Sequence, residues 1–399
     1  MSPCKKTISI LFLVAVVCFL GGCGSMRHAV PSGLEASAFI PGMREVRAFG
    51  DAPDKSFIND LNESFKQESP NEYRKGALTV YPVLLVSGGG ANGAYGAGIL
   101  NGWSESGSRP KFKTVTGVST GALIAPFAFL GSDYDDKLKD LYTKMSTKDV
   151  ARSKGPLAPL TSDSLESTRP LMRIIKKYYT KDVLKKIADE YKKGRRLYIG
   201  TTNLDAQRLV VWNMGKIAQI GDKESLKLFH KVLLASSAIP IAFPPVFFKV
   251  EADGKKYDEM HVDGGTVTQV FTLHGILQGT RRNKAVETYL IWNGFVNPKW
   301  KSVKDNLSSI ASRSVNTMIN YQGLGDIFRL YILSGQKKHD FHLAYIPTDF
   351  EPKSTQMFDP VEMKKLFDLG YEKAAAGTAW QKKPPVFEIY EKDKDKGGI

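Results

Sequence analysis

The chain has 399 residues, of which 42% are hydrophobic, so it is long enough for one large or two small domains and too apolar for global disorder. The formal net charge is +15, and it falls to +13 without residues 1–22, which contain two lysines and no acidic residue. A basic excess of this size favours an anionic partner, either nucleic acid or a membrane surface.

The first 22 residues have the pattern of a secretory signal. Lys5 and Lys6 precede the apolar run 7–20, and small residues then lead to Cys23. The pattern is similar to that of bacterial lipoproteins, in which the signal is cleaved before a cysteine that carries the lipid. We therefore expect a signal peptide over residues 1–22, lipidation of Cys23, and a lipid-anchored position in the bacterial cell envelope, at the outer membrane. The alternative is an uncleaved anchor helix, for which the apolar run is short.

The other two cysteines, Cys4 and Cys18, lie within that signal, so a processed chain has no second thiol for an internal disulfide or a zinc site. No later stretch contains 18 consecutive apolar residues, so no further membrane span is expected. On a secreted, lipid-anchored chain the basic excess favours membrane lipids, and no zinc-finger or RNA-recognition motif favours nucleic acid. We expect no nucleic-acid partner, no metal and no cofactor. No pattern predicts the oligomeric state.

After the signal, a polar region predicts a tether over residues 23–77 with a helix near residues 55–66. From Leu78 strands and helices alternate, which predicts an α/β fold with a parallel sheet. No linker interrupts this region, so we predict one domain over residues 78–375 and a C-terminal tail over residues 376–399. The predicted strands are 78–86, 113–118, 195–203, 208–213, 247–250, 256–262, 288–292 and 340–346, and the predicted helices are 94–104, 120–130, 135–145, 161–193 with a break near Pro170, 223–236, 303–336 and 359–375.

Ser119 is the central residue of the sequence Gly-Val-Ser-Thr-Gly, between a predicted strand and a predicted helix. A serine on such a turn is strained, and the small neighbours Gly117 and Gly121 let other backbone approach it. The N-terminus of the following helix favours negative charge beside the serine. The motif predicts a nucleophile, and the alternative is an ordinary glycine-rich turn.

Residues 87–93 read Ser-Gly-Gly-Gly-Ala-Asn-Gly and follow the first predicted strand of the domain. The glycines match G-x-G-x-x-G, but the acidic residue that a dinucleotide site needs after the second strand is missing, as is the Gly-Lys-Ser/Thr of a phosphate loop. Backbone N–H groups without side chains around them suit an oxyanion hole at Gly88, Gly89 and Gly90. Nucleotide binding is the alternative.

Asp263 follows another predicted strand and is itself followed by Gly264 and Gly265. An Asp-Gly pair is most often a turn, but a nucleophilic serine needs a base and the chain contains only six histidines. His261 shares a strand face with Asp263 if the strand continues that far. The candidates for a third catalytic member are His274, His339 and His342.

In type and order, the three motifs resemble those of the patatin-like phospholipase family. Residues 201–204 and 235–245 add to the resemblance, which covers residues 82–272. It implies a three-layer fold with a central, mostly parallel sheet flanked by helices. It also implies hydrolysis of membrane lipids or other acyl esters through a Ser119–Asp263 dyad and an acyl-enzyme, with the oxyanion held at Gly88–Gly90. The motif positions that would support this site are Asn92, Gly93, Gly117, Gly121, Gly264 and Gly265.

One departure from the family pattern concerns the glycine loop. The family often has Asp before the three glycines and Arg after them, where this chain has Ser87 and Asn92. Two alternative functions stay open. One is a Ser-His-Asp esterase in which His339 or His342 is the base, and the other is a lipoprotein that binds lipid without catalysis.

Overall fold

The computed structural model describes residues 27–153, 155, 163–273, 284–336, 339–354 and 356–385. The predicted signal peptide, Cys23 and His274 lie outside these residues. Within the described part of the chain, no helix is both long and apolar enough to cross a membrane.

Twelve strands and eleven α-helices are described. The strands are β1 (Arg47–Phe49), β2 (Arg74–Lys75), β3 (Leu78–Val86), β4 (Thr114–Val118), β5 (Arg152–Ser153), β6 (Glu166–Ser167), β7 (Arg196–Asn203), β8 (Arg208–Asn213), β9 (Val246–Ala252), β10 (Lys255–Asp263), β11 (Lys284–Phe295) and β12 (Asp340–Ile346). The helices are α1 (Lys55–Gln67), α2 (Gly93–Glu105), α3 (Thr120–Leu130), α4 (Asp135–Thr143), α5 (Thr147–Val150), α6 (Arg169–Tyr178), α7 (Lys181–Lys192), α8 (Met214–Ile220), α9 (Lys223–Ser236), α10 (Leu307–Gln336) and α11 (Pro360–Ala375).

A mixed sheet in the order β1-β8-β7-β4-β3-β11-β12 is the centre of the fold. The five strands from β7 to β12 in that order are parallel to one another. β8 pairs antiparallel with β7, and β1 pairs antiparallel with β8. β10 also pairs antiparallel with β7, and β9 pairs antiparallel with β10. The predicted α/β fold with a central, mostly parallel sheet is therefore confirmed.

Helices cover both faces of this sheet. Along β3, Leu84 and Val86 belong to one buried apolar cluster, whereas Val83 and Leu85 belong to another. Successive side chains of a strand point to opposite faces, so the two clusters lie on opposite sides of the sheet. The smaller cluster receives Phe57 of α1 and the apolar side chains of the second half of α10. The result is the three-layer arrangement that the family resemblance implies.

Strongly patterned elements have the predicted bounds, such as β3, α3 and α9. The helix predicted over residues 161–193 is wrong over residues 163–168, which are not helical and include β6, and helix then begins at Arg169. Pro170 fits the first turn of a helix, so it starts α6 and does not interrupt a longer helix. A second break follows at Thr180, which is the N-cap of α7. Helix α8 was not predicted.

Residues 27–77, predicted as a tether, pack against the domain. Arg27 pairs with Asp205 at 2.8 Å and with Asp258 at 2.9 Å, and Arg47 forms a buried ion pair with Glu259. Strand β1 extends the central sheet through β8. The predicted tail also begins inside the packed unit, because the rings of Trp380 and Trp103 pack against each other at a tilt of 56°, with centroids 4.5 Å apart. The packed unit thus extends beyond the predicted 78–375 at both ends.

Candidate active site

The three sequence motifs meet at one edge of the central sheet. The glycine loop follows β3 and Ser119 follows β4, and these two strands are parallel. Asp263 ends β10, where it pairs with Thr201 near the carboxyl end of β7. Ligands of open α/β sheets bind outside the carboxyl ends of the strands. The fold therefore brings residues that are far apart in sequence into one candidate site.

Ser119 lies on a strained turn between β4 and α3. Its φ is 56° and its ψ is −125°, values that few residues other than glycine adopt. A Cβ on Gly117 would lie 2.3 Å from the Gly121 carbonyl, and one on Gly121 would lie 2.2 Å from the Val86 carbonyl. The turn is thus compatible only with glycine at these two positions. The Ser119 N–H donates to Ser236 Oγ at 2.9 Å, which fixes the turn against α9.

Asp263 is almost fully buried beside Ser119. Burial raises the pKa of its carboxyl to about 7, and the neighbouring Ser119 hydroxyl and the Gly265 N–H limit this rise because they stabilise the charged form. Oδ1 accepts from the Gly265 N–H at 2.8 Å. Oδ2 has no hydrogen-bond partner of good geometry among the described residues, so it is available to receive a proton.

The glycine loop presents backbone N–H groups to the site. Gly88, Gly89 and Gly90 all line the same cavity as Ser119 and Asp263. Their N–H groups have no acceptor within the described part of the chain. Gly90 has a φ of 57°, which turns the chain into a short 3-10 helix ahead of α2. The loop can therefore donate hydrogen bonds to an anion above Ser119.

Asn293, at the end of β11, holds this loop in place. Its Nδ2 donates to the Ser87 carbonyl at 3.0 Å, its backbone N–H donates to Ser87 Oγ at 2.8 Å, and its Oδ1 accepts from the Gly96 N–H at 3.0 Å. Ser87, which stands where the family often has Asp, thus fixes the loop and does not point at the anion. Asn92 lines the cavity but caps no backbone N–H of α2 with its side chain.

The remaining motif glycines allow close packing around the site. An added Cβ would lie 2.4 Å from Thr120 Oγ1 at Gly93 and 2.5 Å from the Gly200 carbonyl at Gly264. At Gly265 it would meet the side chain of Gln269, 2.2 Å from Nε2. These glycines bring α2, β7 and the turn after Asp263 together, and none of them carries a reactive group.

A cavity of about 460 Å³ adjoins Ser119 and Asp263. Its polar lining includes the dyad candidates, the glycine loop and Gln269, and the exposed surface of the lining is mostly apolar. This combination of an apolar space with a few convergent polar groups is typical of small-molecule and lipid sites. The larger apolar side chains that line the cavity are Leu165, Ile239, Phe243, Trp292, Phe295, Val315, Ile319, Met357 and Phe358.

No histidine in the described ranges lines this cavity. His342 lies on β12, in register with Val115 of β4. It is therefore three strands away from β4 across the sheet, and along the strand direction it is four residues farther from the carboxyl end than Ser119. At about 4.8 Å per strand and about 3.3 Å per residue, the separation exceeds hydrogen-bond reach several-fold. His339 precedes β12 and lies farther still from the carboxyl edge. His261 does share a strand face with Asp263, but its ring nitrogens contact Thr201 and Glu259.

Three residues of the site were not assigned a role from sequence. Ser236 lies in a segment that carries the family resemblance, and Asn293 directly follows a predicted strand, so each had a weak signal. Gln269, which contacts the glycine loop and the turn after Asp263, had none. Within the described ranges, no group of three or more His, Cys, Asp or Glu side chains could hold a metal ion.

Comparison with known proteins defines the class. Residues 84–274 match the family model described as patatin-like phospholipase. The chain therefore contains a patatin-like phospholipase domain, as the motifs predict, and this family implies a lipid ester hydrolase. No curated protein matches the chain.

Solved structures similar to this chain include the following two. One is VipD from Legionella pneumophila, with 13% identity and a TM-score of 0.33 over 75% of this chain and 67% of that chain. The other is full-length ExoU, in complex with SpcU, from the type III secretion system of Pseudomonas aeruginosa, with 15% identity and a TM-score of 0.31 over 74% of this chain and 52% of that chain. This chain thus spans about half the length of the second protein.

Proposed function

We propose that the protein is a lipid acyl hydrolase that uses a Ser119–Asp263 dyad. The observation that carries the proposal is the buried Asp263 carboxyl beside the strained Ser119, in a cavity that no described histidine lines. In a Ser-His-Asp esterase, a histidine would occupy the place that Asp263 takes. The substrate class is a phospholipid, lysophospholipid or other long-chain acyl ester, because the cavity behind the dyad is mostly apolar.

The reaction has two halves. Asp263 Oδ2 accepts the hydroxyl proton of Ser119 while Oγ attacks the ester carbonyl, and the N–H groups of Gly88–Gly90 stabilise the oxyanion. The C–O bond then breaks, Asp263 returns the proton to the leaving alcohol, and the acyl group stays on Oγ. Water attacks this acyl-enzyme, Asp263 takes the proton from the water, and the proton passes back to Ser119 as the fatty acid leaves.

The environment of Asp263 suits this exchange. A carboxyl at its ordinary pKa is a weak base, whereas burial raises the pKa of Asp263 to about 7. A group with a pKa near the working pH can both accept and return a proton efficiently. A strained serine beside such a base requires no third residue to orient it.

We further propose that lipidated Cys23 anchors the protein in the cell envelope, at the outer membrane. Cys23 is only four residues before Arg27, which is tied to Asp205 and Asp258 of the domain. An anchor at Cys23 would therefore hold the domain close to the bilayer and not at the end of a long tether. Membrane lipid would then be both the support and the substrate.

A fluorophosphonate probe tests the enzymatic proposal, because it labels only an activated serine. Wild type should be labelled and should hydrolyse a p-nitrophenyl acyl ester, and Ser119→Ala should lose both properties. His339→Ala and His342→Ala are controls that should keep both, and so should His274→Ala. Absence of labelling in a folded wild type would favour a lipoprotein that binds lipid without catalysis. Loss of activity in one histidine variant would favour a Ser-His-Asp triad.

A further inference from the structure

The first half of α10, residues 307–322, forms one wall of the cavity. Its wall-forming side chains recur three or four residues apart, which places them on one face of the helix. They are Ser312, Val315, Asn316, Ile319 and Asn320. Substrate in the cavity would therefore lie against this face.

The opposite face of the same segment is apolar and exposed. Leu307 is 84% exposed, Met318 63%, Tyr321 58% and Ile310 47%. At about 100° per residue these four side chains form a second stripe, roughly on the other side of the helix from the cavity. Large apolar patches on a protein surface mark interaction sites.

The second half of α10 is buried against the body of the domain, whereas the first half is held by fewer contacts, such as the hydrogen bond of 2.7 Å from Arg313 Nη2 to the Lys299 carbonyl. The buried residues of this helix all lie from Gly323 onward. Asp326 accepts hydrogen bonds of 2.8 Å from Thr268 Oγ1 and from the Gln269 N–H, which ties the helix to the turn after Asp263. The first half is thus held over the cavity with its outer stripe uncovered by any described residue.

The loop before α10 adds an aromatic side chain and positive charge. Trp300 is 90% exposed and Val303 is 42% exposed. Lys301 and Lys304 are exposed, and neither forms an ion pair with a residue that the structure describes. Tryptophan and lysine next to apolar side chains are typical of protein segments at membrane interfaces.

We propose that the stripe Leu307, Ile310, Met318 and Tyr321, together with Trp300, docks onto an anionic phospholipid bilayer. The free lysines favour an anionic lipid surface over an apolar protein partner. The stripe and the cavity wall are two faces of one helix, so docking would place the cavity next to the lipids. The biological role of this docking rests on the proposed function, but binding of the surface to lipid can be tested without catalysis.

Trp300 is a built-in probe for the test. The chain has five tryptophans, and the other four are buried or half-buried. The full chain with Ser119→Ala is incorporated into phosphatidylglycerol-containing vesicles made with brominated or ordinary acyl chains. The brominated lipid should quench at least half of the Trp300 emission, measured as the difference from the same chain with Trp300→Phe. Equal Trp300 emission in the two kinds of vesicle would overturn the proposal.

A second arm measures turnover with matched variants. Leu307→Ser with Met318→Ser should lower hydrolysis of vesicle lipid at least tenfold and leave hydrolysis of a soluble short-chain ester within twofold. Ile58→Ser with Leu78→Ser is the control, because these side chains are 47% and 46% exposed on α1 and at the start of β3, away from the cavity. A stripe variant with full vesicle activity would contradict the docking surface. A wild type inactive on both substrates would refute the proposed function, and the quenching result would still decide the docking.

Discussion

The pKa of Asp263 makes the most detailed prediction. Its ordinary value is 3.8, and burial raises it to about 7 in the folded protein. Only the ionised carboxylate can take the Ser119 proton, so kcat/KM should fall about tenfold per pH unit below 7 and level off above it. The assay is a pH profile of kcat/KM on a soluble ester. A midpoint near 4 would refute the argument that Asp263 is desolvated and is the base.

The same shift predicts how stability depends on pH. Because the folded-state pKa exceeds the unfolded value, the contribution of Asp263 to stability is fully present below about pH 4 and is lost as the pH rises through about 7. The difference between 3.8 and about 7, at about 1.36 kcal/mol per pKa unit, corresponds to an upper bound of about 4 kcal/mol. Asp263→Asn, which stays neutral, should therefore gain stability over wild type by a few kcal/mol at pH 8. Denaturant unfolding at pH 5 and 8 measures this, and an equal difference at both pH values would contradict it.

Three further predictions concern the turn, the N-terminal segment and the anchor. Gly121→Ala should abolish esterase activity or folding, because its Cβ would lie 2.2 Å from the Val86 carbonyl. Gly325→Ala is the control, because Gly325 is exposed on α10 and an added Cβ there would meet no atom within 4 Å, and thermal unfolding with an ester assay checks both variants. Arg47→Met should cost about 3–5 kcal/mol in urea unfolding, because it removes the guanidinium partner of the buried Glu259 carboxylate and leaves it only the His261 ring, and a loss below 1 kcal/mol would refute this. The Cys23→Ala variant, expressed with a cleavable signal peptide, should leave the membrane fraction in a high-salt wash and still hydrolyse esters. Retention of this variant in the membrane fraction would show another attachment.

Local sequence patterns predict the bounds of a helix or strand well where the pattern is compatible with only one type of element. The apolar run of β3 is buried on both faces, and α3 is almost wholly buried, so their composition alone determines their bounds. The helix predicted before Arg169 was wrong because a proline near the start of a helix and a proline that breaks one look alike in sequence. The tether over residues 23–77 was predicted from polar composition, and the few apolar side chains that hold it, such as Val46, gave no periodic signal.

In the candidate site, too, sequence identifies those residues whose local pattern has one interpretation. Ser119 and the glycine loop could be found because turn and strand patterns frame them. The pairing of Asp263 with Ser119 came from the family resemblance, since nothing in the spacing brings β10 to the carboxyl end of β4. Asn293 and Gln269 act through contacts across the sheet edge. Apolar side chains occur on more than one side of α10, so the orientation of this helix over the cavity is visible only in three dimensions.

The central claim is that Ser119 and Asp263 act as one catalytic unit. The most direct measurement compares kcat for Ser119→Ala, Asp263→Asn and the double variant on one soluble ester, with unfolding curves to confirm that all three are folded. Each single variant should lose at least about three orders of magnitude, and the double variant should lose little more, because either change disables the same step. If the two losses multiply, or if Asp263→Asn keeps substantial turnover, Asp263 is not the base.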